Sequence, residues 1–255
     1  MKGSLILVPN TLDLGSCAAD ATPPDLRVVL PQEVIATAAR LGHWVCENAK
    51  TTRAFLKRVG AITPLAQPLQ ALDIRELPRP AKGRPASPVP DLQEWLAPAL
   101  QGHDLGLISE AGLPAVADPG ALLVAAAHAA GVPVRPLSGP SSLMLALAAS
   151  GLNGQSFAFV GYVPQAAGAQ ALRLKELEAL SRRHQQTQLL IETPYRNAAL
   201  LNGLLAALAP DTRLAVGCGL TLDTGWTRSG RIDQWRRWQV QMPADVPAVF
   251  SLLAA

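Results

Sequence analysis

Four short segments of the 255-residue sequence place glycine, proline, serine and ionisable residues directly after apolar runs. They are Pro9-Asn10-Thr11, Ser109–Gly120 (SEAGLPAVADPG), Leu137–Leu143 (LSGPSSL) and Glu192–Arg196 (ETPYR). In the second, Gly112 and Gly120 put no Cβ between backbone and ligand, and Pro114 and Pro119 stiffen the turn. In the third, Ser141 and Ser142 open a helix, where hydroxyls and first-turn N–H groups can take a carboxylate or a ribose hydroxyl. In the fourth, Glu192 closes an apolar run and Arg196 follows four residues later, a pair able to orient a polar ligand or a phosphate. A fifth segment, Glu47–Arg53 (ENAKTTR), sets Glu47 close to Lys50 and Arg53. Each segment also has a plain structural reading: a βα loop, a serine-capped helix, a surface ion pair or a solvated helix start.

Such segments act together only if strands aim them the same way. Ser4–Val8, Trp44–Cys46, Leu105–Ser109 and Val132–Pro136 read as short buried strands. Helices are expected from Pro31 or Gln32 to Leu41 with Gly42 as the stop, over Thr51–Val59, and from Pro140 to Gly151. A further helix is expected to run to Ala130 from an Asp118 cap, with Pro119 in its first position. Strand, helix and strand in succession imply parallel pairing and right-handed crossovers. Ligands of open α/β sheets bind outside the carboxyl ends of the strands. Past Asn153 a second unit is expected. It comprises strands Phe157–Val160, Thr187–Glu192, Leu214–Cys218 and Ala248–Leu253, helices Gly168–Arg183 and Tyr195–Leu208, and Trp226–Arg231 as an antiparallel partner. The expected fold is therefore α/β in two domains, 1–153 and 154–255. The proline-rich, basic stretch Leu77–Pro90 interrupts the first, either as a surface loop or as a lid over an active site.

Hydrophobic residues make up 49% of the chain and aromatics 4%, so the core must be built from Ala, Leu and Val. The net charge of +3 permits an RNA partner without requiring one. Trp226, Trp235 and Trp238 stand among Arg228, Arg231, Arg236 and Arg237. That is either a face for stacking RNA bases or an edge helix with its tryptophans packed inward, and the preference of aromatics for burial favours the second. Cys17, Cys46 and Cys218 form no pair, which points to a reducing compartment, and the four histidines lack metal-ligand spacing. The apolar runs Ala121–Ala130 and Leu143–Ala149 fall short of the ~20 residues that span a bilayer. The N-terminal run falls short of a signal peptide. The expectation is a soluble cytoplasmic protein with no metal and no membrane partner.

No GxGxxG follows the first strand, and neither GxxxxGK[ST] nor GxSxG occurs, so dinucleotide, P-loop and serine-hydrolase chemistry lose their main support. In their order and spacing, LISEAGLPAVADPG, VPVRPLSGPSSLMLALAASGL, FAFVGYVP and LLIETPYR resemble the tetrapyrrole-methylase superfamily. The resemblance is strongest to the branch containing the bacterial 16S ribosomal RNA ribose 2′-O-methyltransferase. ENAKTTRAFL is similar to that branch's E-D-T-R-x-T-R-x-L-L stretch, and the likeness runs from about Leu5 to the C-terminus.

The resemblance implies two α/β domains with S-adenosylmethionine in the cleft between them, and a homodimer. It assigns cofactor contacts to Pro9, to Gly112, Leu113, Pro114 and Val116, and to Ser141, Ser142 and Leu143. Thr193 beside Glu192, then Cys218, Gly219 and Leu220, and finally Pro247 and Ala248 complete that set. Glu192, Arg196, Glu47 and Lys50 are the candidates for handling the substrate. Three segments depart from the branch: PNTLDLG stands for P-T-P-I-G-N-L, ENAK for E-D-T-R, and SEAGLP for S-D-A-G-T-P. Lys50 keeps a charge but not the guanidinium fork, and Leu113 replaces a polar side chain. The implied activity is S-adenosylmethionine-dependent methyl transfer to RNA. The alternatives are transfer to a small molecule such as a tetrapyrrole, and a non-catalytic S-adenosylmethionine-binding protein.

Overall fold

A computed structural model describes residues 1–13, 24–78 and 92–255. Most of the proline-rich stretch Leu77–Pro90, and Cys17, lie outside the described residues. The described chain divides into two compact units, Met1–Pro140 and Ser141–Ala255.

The first unit is a five-stranded, wholly parallel sheet. Its strands are β1 (Leu5–Leu7), β2 (His43–Cys46), β3 (Asp73–Glu76), β4 (Leu105–Ile108) and β5 (Val134–Pro136), in the spatial order β3-β2-β4-β1-β5. Such a sheet is covered on both faces, so its central strands read as unbroken apolar runs. β4 is buried along its whole length, and Leu5 and Ile6 of β1 are fully buried. Helix α1 (Gln32–Arg40) turns Val34, Ile35, Ala38 and Ala39 into one core, and α2 (Ala49–Gly60) adds Phe55, Leu56 and Val59. Short α3 (Ala97–Leu100) and α4 (Ala121–Ala129) serve the other core, through Ala99 and through Leu123 and Ala127.

One strand and two helix ends differ in detail from the sequence reading. β3 was not foreseen. The predicted Asp118 cap is not one: α4 begins at Ala121 with Gly120 as its N-cap, and Asp118 binds backbone N–H groups of its own loop instead. Gly42 follows the Leu41 C-cap of α1 as expected, but it does not adopt the left-handed conformation, because Leu41 leaves the helix extended.

The second unit is a mixed five-stranded sheet. Its strands are β6 (Phe157–Gly161), β7 (Thr187–Ile191), β8 (Arg213–Cys218), β9 (Trp226–Arg231) and β10 (Ala248–Leu253), ordered β6-β7-β10-β8-β9. Only the β6–β7 pair is parallel. β10 is central and buried throughout, sending Phe250 to one face and Val249 to the other. Helices α6 (Ala167–His184), α7 (Asn197–Ala207) and α8 (Ile232–Trp238) share a core with Phe250 through Leu174, Leu204 and Trp235. Helix α5 (Ser142–Ser150) covers the opposite face with Leu143, Ala146 and Leu147 against Leu189 and Val249. The sequence predicted a boundary at Asn153, with this helix in the first domain; the helix instead packs on the second unit's sheet. No described helix is long and apolar enough to cross a membrane.

Candidate functional site

In the first unit, three of the predicted segments leave the carboxyl ends of adjacent strands. Pro9–Thr11 follows β1, Ser109–Gly120 follows β4 and Leu137–Pro140 follows β5, with β1 between the other two. The chain leaving β1 travels to β2 on one side, while that leaving β4 travels to β5 on the other. The β4–β1 gap is thus a topological switch point, where open α/β sheets take ligands.

Backbone contacts fix these loops. Asn10 and Gly112 form an isolated antiparallel bridge: Asn10 N donates to Gly112 O at 2.9 Å and Gly112 N to Asn10 O at 3.2 Å. The buried Asn10 amide then donates to Ser109 O and Glu110 O at 3.2 and 3.1 Å. A Cβ on Gly139 would lie 2.2 Å from Cβ of Pro9, so only glycine lets the loop after β5 rest on the loop after β1. Gly112 is left-handed at φ +68°, and so are Ala115 at +67° and Ala117 at +62°. Alanine in that region costs about 1 kcal/mol, and such strain collects at functional loops. Asp118 holds the strained turn, accepting from Ala115 N at 2.9 Å and Gly120 N at 2.7 Å. Burial pushes its carboxyl above the ordinary range, with the two backbone donors acting in the opposite direction. Pro9 and Pro114 are buried, Leu113 is half-buried and Val116 is exposed.

The Glu47–Arg53 segment meets the same edge of that sheet. Glu110 N donates to Glu47 Oε2 at 3.1 Å, and Asn48 Nδ2 donates to Glu110 Oε1 at 3.0 Å. Asn48 also caps α2, accepting from Lys50 N at 2.9 Å. Lys50 and Arg53 are exposed on the first turns of α2.

The second unit brings its own predicted residues to one edge. β10 runs antiparallel to both β7 and β8, which sets Ala248 opposite Cys218 and Val249 opposite Ile191. Glu192 and Thr193 at the end of β7, Cys218–Leu220 at the end of β8, and Pro247–Ala248 at the start of β10 therefore converge. Gly219 N donates to Pro247 O at 2.9 Å. Burial, reinforced by Asp245, pushes the Cys218 thiol up.

Glu192 is buried. It accepts from Thr193 N at 2.9 Å and faces Arg196 Nε at 3.4 Å, with 4% of its side chain exposed. Arg196 Nε and Asn197 Oδ1 are buried without a hydrogen-bond partner, while Asn197 Nδ2 donates to Val246 O at 3.0 Å. Ser141 is the N-cap of α5 rather than a first-turn residue, and its Oγ accepts from Met144 N at 3.5 Å. Ser142 is half-buried and Leu143 buried.

Asn10, Gly139, Glu110 and Asn197 were not singled out from the sequence. Asn10 and Gly139 lie inside predicted loops, and their significance rests on contacts between strands. Among the described residues no cluster of His, Cys, Asp and Glu could hold a metal.

The family model for tetrapyrrole (corrin/porphyrin) methylases matches residues 32–234. The chain is 38% identical over 138 residues to ribosomal RNA small subunit methyltransferase I of Mesorhizobium japonicum, covering 54% of this chain and 46% of that protein. It is 39% identical over 134 residues to the enzyme of the same name from Micromonospora olivasterospora, covering 52% and 41%. For that of Vibrio cholerae the identity is 37% over 122 residues, covering 48% and 41%. The matched stretch thus spans less than half the length of these relatives. Among solved structures, uroporphyrin-III-C-methyltransferase from Thermus thermophilus shares the fold, with a TM-score of 0.52 at 19% identity over 99% of this chain and 93% of that one.

Proposed function

The chain belongs to the tetrapyrrole (corrin/porphyrin) methylase family, and from that premise we propose that it is an S-adenosylmethionine-dependent methyltransferase acting on the ribose 2′-hydroxyl of ribosomal RNA. The observation that carries the cofactor assignment is the alignment of three motif loops at the ends of β4, β1 and β5, where Gly139 and Gly112 hold backbone close. The RNA acceptor rests on the likeness to the ribosomal RNA methyltransferases.

The residues present fit the cofactor. In the first unit, Pro9, Gly112, Leu113, Pro114 and Val116 offer a rigid, largely apolar backbone surface. In the second, the capped N-terminus of α5 at Ser141, Ser142 and Leu143 favours a carboxylate. Cys218, Gly219, Leu220, Pro247 and Ala248 form an apolar edge, and the unpartnered Asn197 Oδ1 leaves an acceptor there. When bound, S-adenosylmethionine supplies an electrophilic methyl on a sulfonium.

The chain must hold the acceptor oxygen in line and receive its proton. Glu47 is the proton acceptor in this reading, oriented by Glu110 N. Lys50, Arg53 and Arg196 contact the anionic substrate, and Glu192 orients Arg196 and Thr193. The working form is a cytoplasmic homodimer.

The test is calorimetric titration with S-adenosylmethionine and S-adenosylhomocysteine, followed by labelled methyl transfer to ribosomal RNA. One ligand per chain and label in RNA are expected. Binding without transfer to RNA would redirect the search to a small-molecule acceptor. No binding at millimolar concentration would leave a protein without the chemistry.

A further inference from the structure

The Trp/Arg segment splits between the two readings its sequence allows. Trp235 is fully buried, its Nε1 donating to Leu214 O at 2.8 Å. Trp238 is 38% exposed, and the Arg228 guanidinium lies over its ring at 5.2 Å from the centroid. Trp238 is held in place from two sides. Trp235 packs against it edge-on at 5.3 Å, and Gly230 packs against its six-membered ring, where a Cβ would come within 2.4 Å of Cη2. An exposed indole fixed in this way loses little entropy when a flat partner stacks on it.

Charge gathers at the same place. Residues 226–239 carry Arg228, Arg231, Arg236 and Arg237 against the lone acid Asp233, a net +3, which equals the net charge of the entire chain. Asp233 pairs with Arg231 and with Arg237, whose side chains are 56% and 71% exposed. Arg236 donates to Leu205 O and Leu208 O at the end of α7. β9 is the last strand of its sheet, so its outer edge is uncovered by any described strand. Trp226 pairs with Cys218 and Arg228 with Val216, so the strip starts beside the cofactor-side segment and leads away from it.

We propose that β9 and the end of α8 form a binding strip for single-stranded RNA, with a base stacked at Trp238 and phosphates at Arg228, Arg231 and Arg237. This rests on the RNA reading above and names a surface that would carry nucleotides flanking the methylated one. A guanidinium beside an exposed indole suits alternating planar bases and phosphates, whereas an acidic polypeptide offers charge without planes.

The experiment measures fluorescence anisotropy of a labelled 12-nucleotide single-stranded RNA with the full chain, across a salt series. Trp238→Ala should weaken binding about 5- to 150-fold, the range for one stacked base. Trp238→Phe should restore most of it while Trp238→Leu, which fills space without a π face, should not, a difference that a merely packing role would not produce. Arg228→Gln, at an exposed position outside the buried core, should lower the slope of log K against log salt by about 0.7.

Unchanged binding by both Trp238→Ala and Arg228→Gln would overturn the strip while leaving methyl transfer to RNA standing. Equal affinity for duplex RNA, or equal competition by polyglutamate, would also overturn it, the latter in favour of an acidic protein partner. Failure of the unmodified chain both to bind the probe and to methylate RNA would remove the RNA reading along with the strip.

Discussion

In the first unit the candidate edge turns on close backbone approach, while in the second it turns on a buried ion pair. Asn10 and Gly112 exchange main-chain hydrogen bonds, and Gly139 rests on Pro9 with no room for a Cβ. Glu192, Arg196 and Asn197 instead form a buried polar group in which two atoms lack partners. An edge built on close backbone approach is rigid and fails when volume is added. A side-chain edge fails when one partner of a charged pair is taken away, because the other stays buried.

Four variants, one of them a double substitution, test that contrast. The largest effect is expected from Arg196→Ala, which strands the Glu192 carboxylate. It should cost about 3 kcal/mol in urea unfolding and reduce acceptor turnover while S-adenosylmethionine affinity holds. A cost below about 0.5 kcal/mol, the size typical of surface changes, would mean that the pair is solvated and the contrast false. Gly139→Val should cost about 2 kcal/mol by overpacking against Pro9 and, unlike Arg196→Ala, should weaken cofactor binding in calorimetry. Normal affinity would show that the loop can retreat. Replacing Ala115 and Ala117 by glycine should leave stability unchanged or raise it by up to about 1 kcal/mol, since relieved left-handed strain offsets the added freedom of the unfolded chain. A clear loss would show that those backbone angles carry no strain.

The smallest effect concerns Asp118, whose carboxyl is raised by burial. A raised acid stabilises the fold below its unfolded value of 3.8, and that stability is lost as pH rises through the folded value. The deficit of Asp118→Asn against the parent should therefore narrow between pH 3.8 and neutrality. A deficit that grows over that range would mean that the backbone donors outweigh burial.

The sequence revealed strands wherever apolar residues ran together, as at Leu105–Ile108 and Ala248–Leu253. It concealed β3, whose residues Asp73-Ile74-Arg75-Glu76 form a partly exposed edge strand, paired on one side to β2, without an apolar run. The helix after SEAGLPAVADPG was legible, but its start was not. Asp-Pro-Gly is the pattern of a capped helix, yet Asp118 serves a turn that depends on left-handed alanines, and alanine gives no sign of that conformation. The motif loops were legible as loops. That Gly139 must be glycine was not, since Pro9, its obstacle, lies some 130 residues away in sequence. For Trp235 and Trp238 the composition left two readings, and the fold used both, one ring buried and the other exposed.

The Asn10–Gly112 bridge also constrains the order in which the molecule can assemble. Its partners are separated by about a hundred residues, and β1 sits between β4 and β5, neither of which is near it in sequence. Such long-range parallel pairing is slow, because a large loop must close before any contact rewards it. One side of β1 can pair once β4 is available, but the other stays open until Pro136 is available, a window in which a nascent chain is prone to aggregate. The loop geometry at the end of β1 is then among the last features of that unit to form, and the amides of Asn10 and Gly112 should exchange with solvent faster than those at the centre of the sheet.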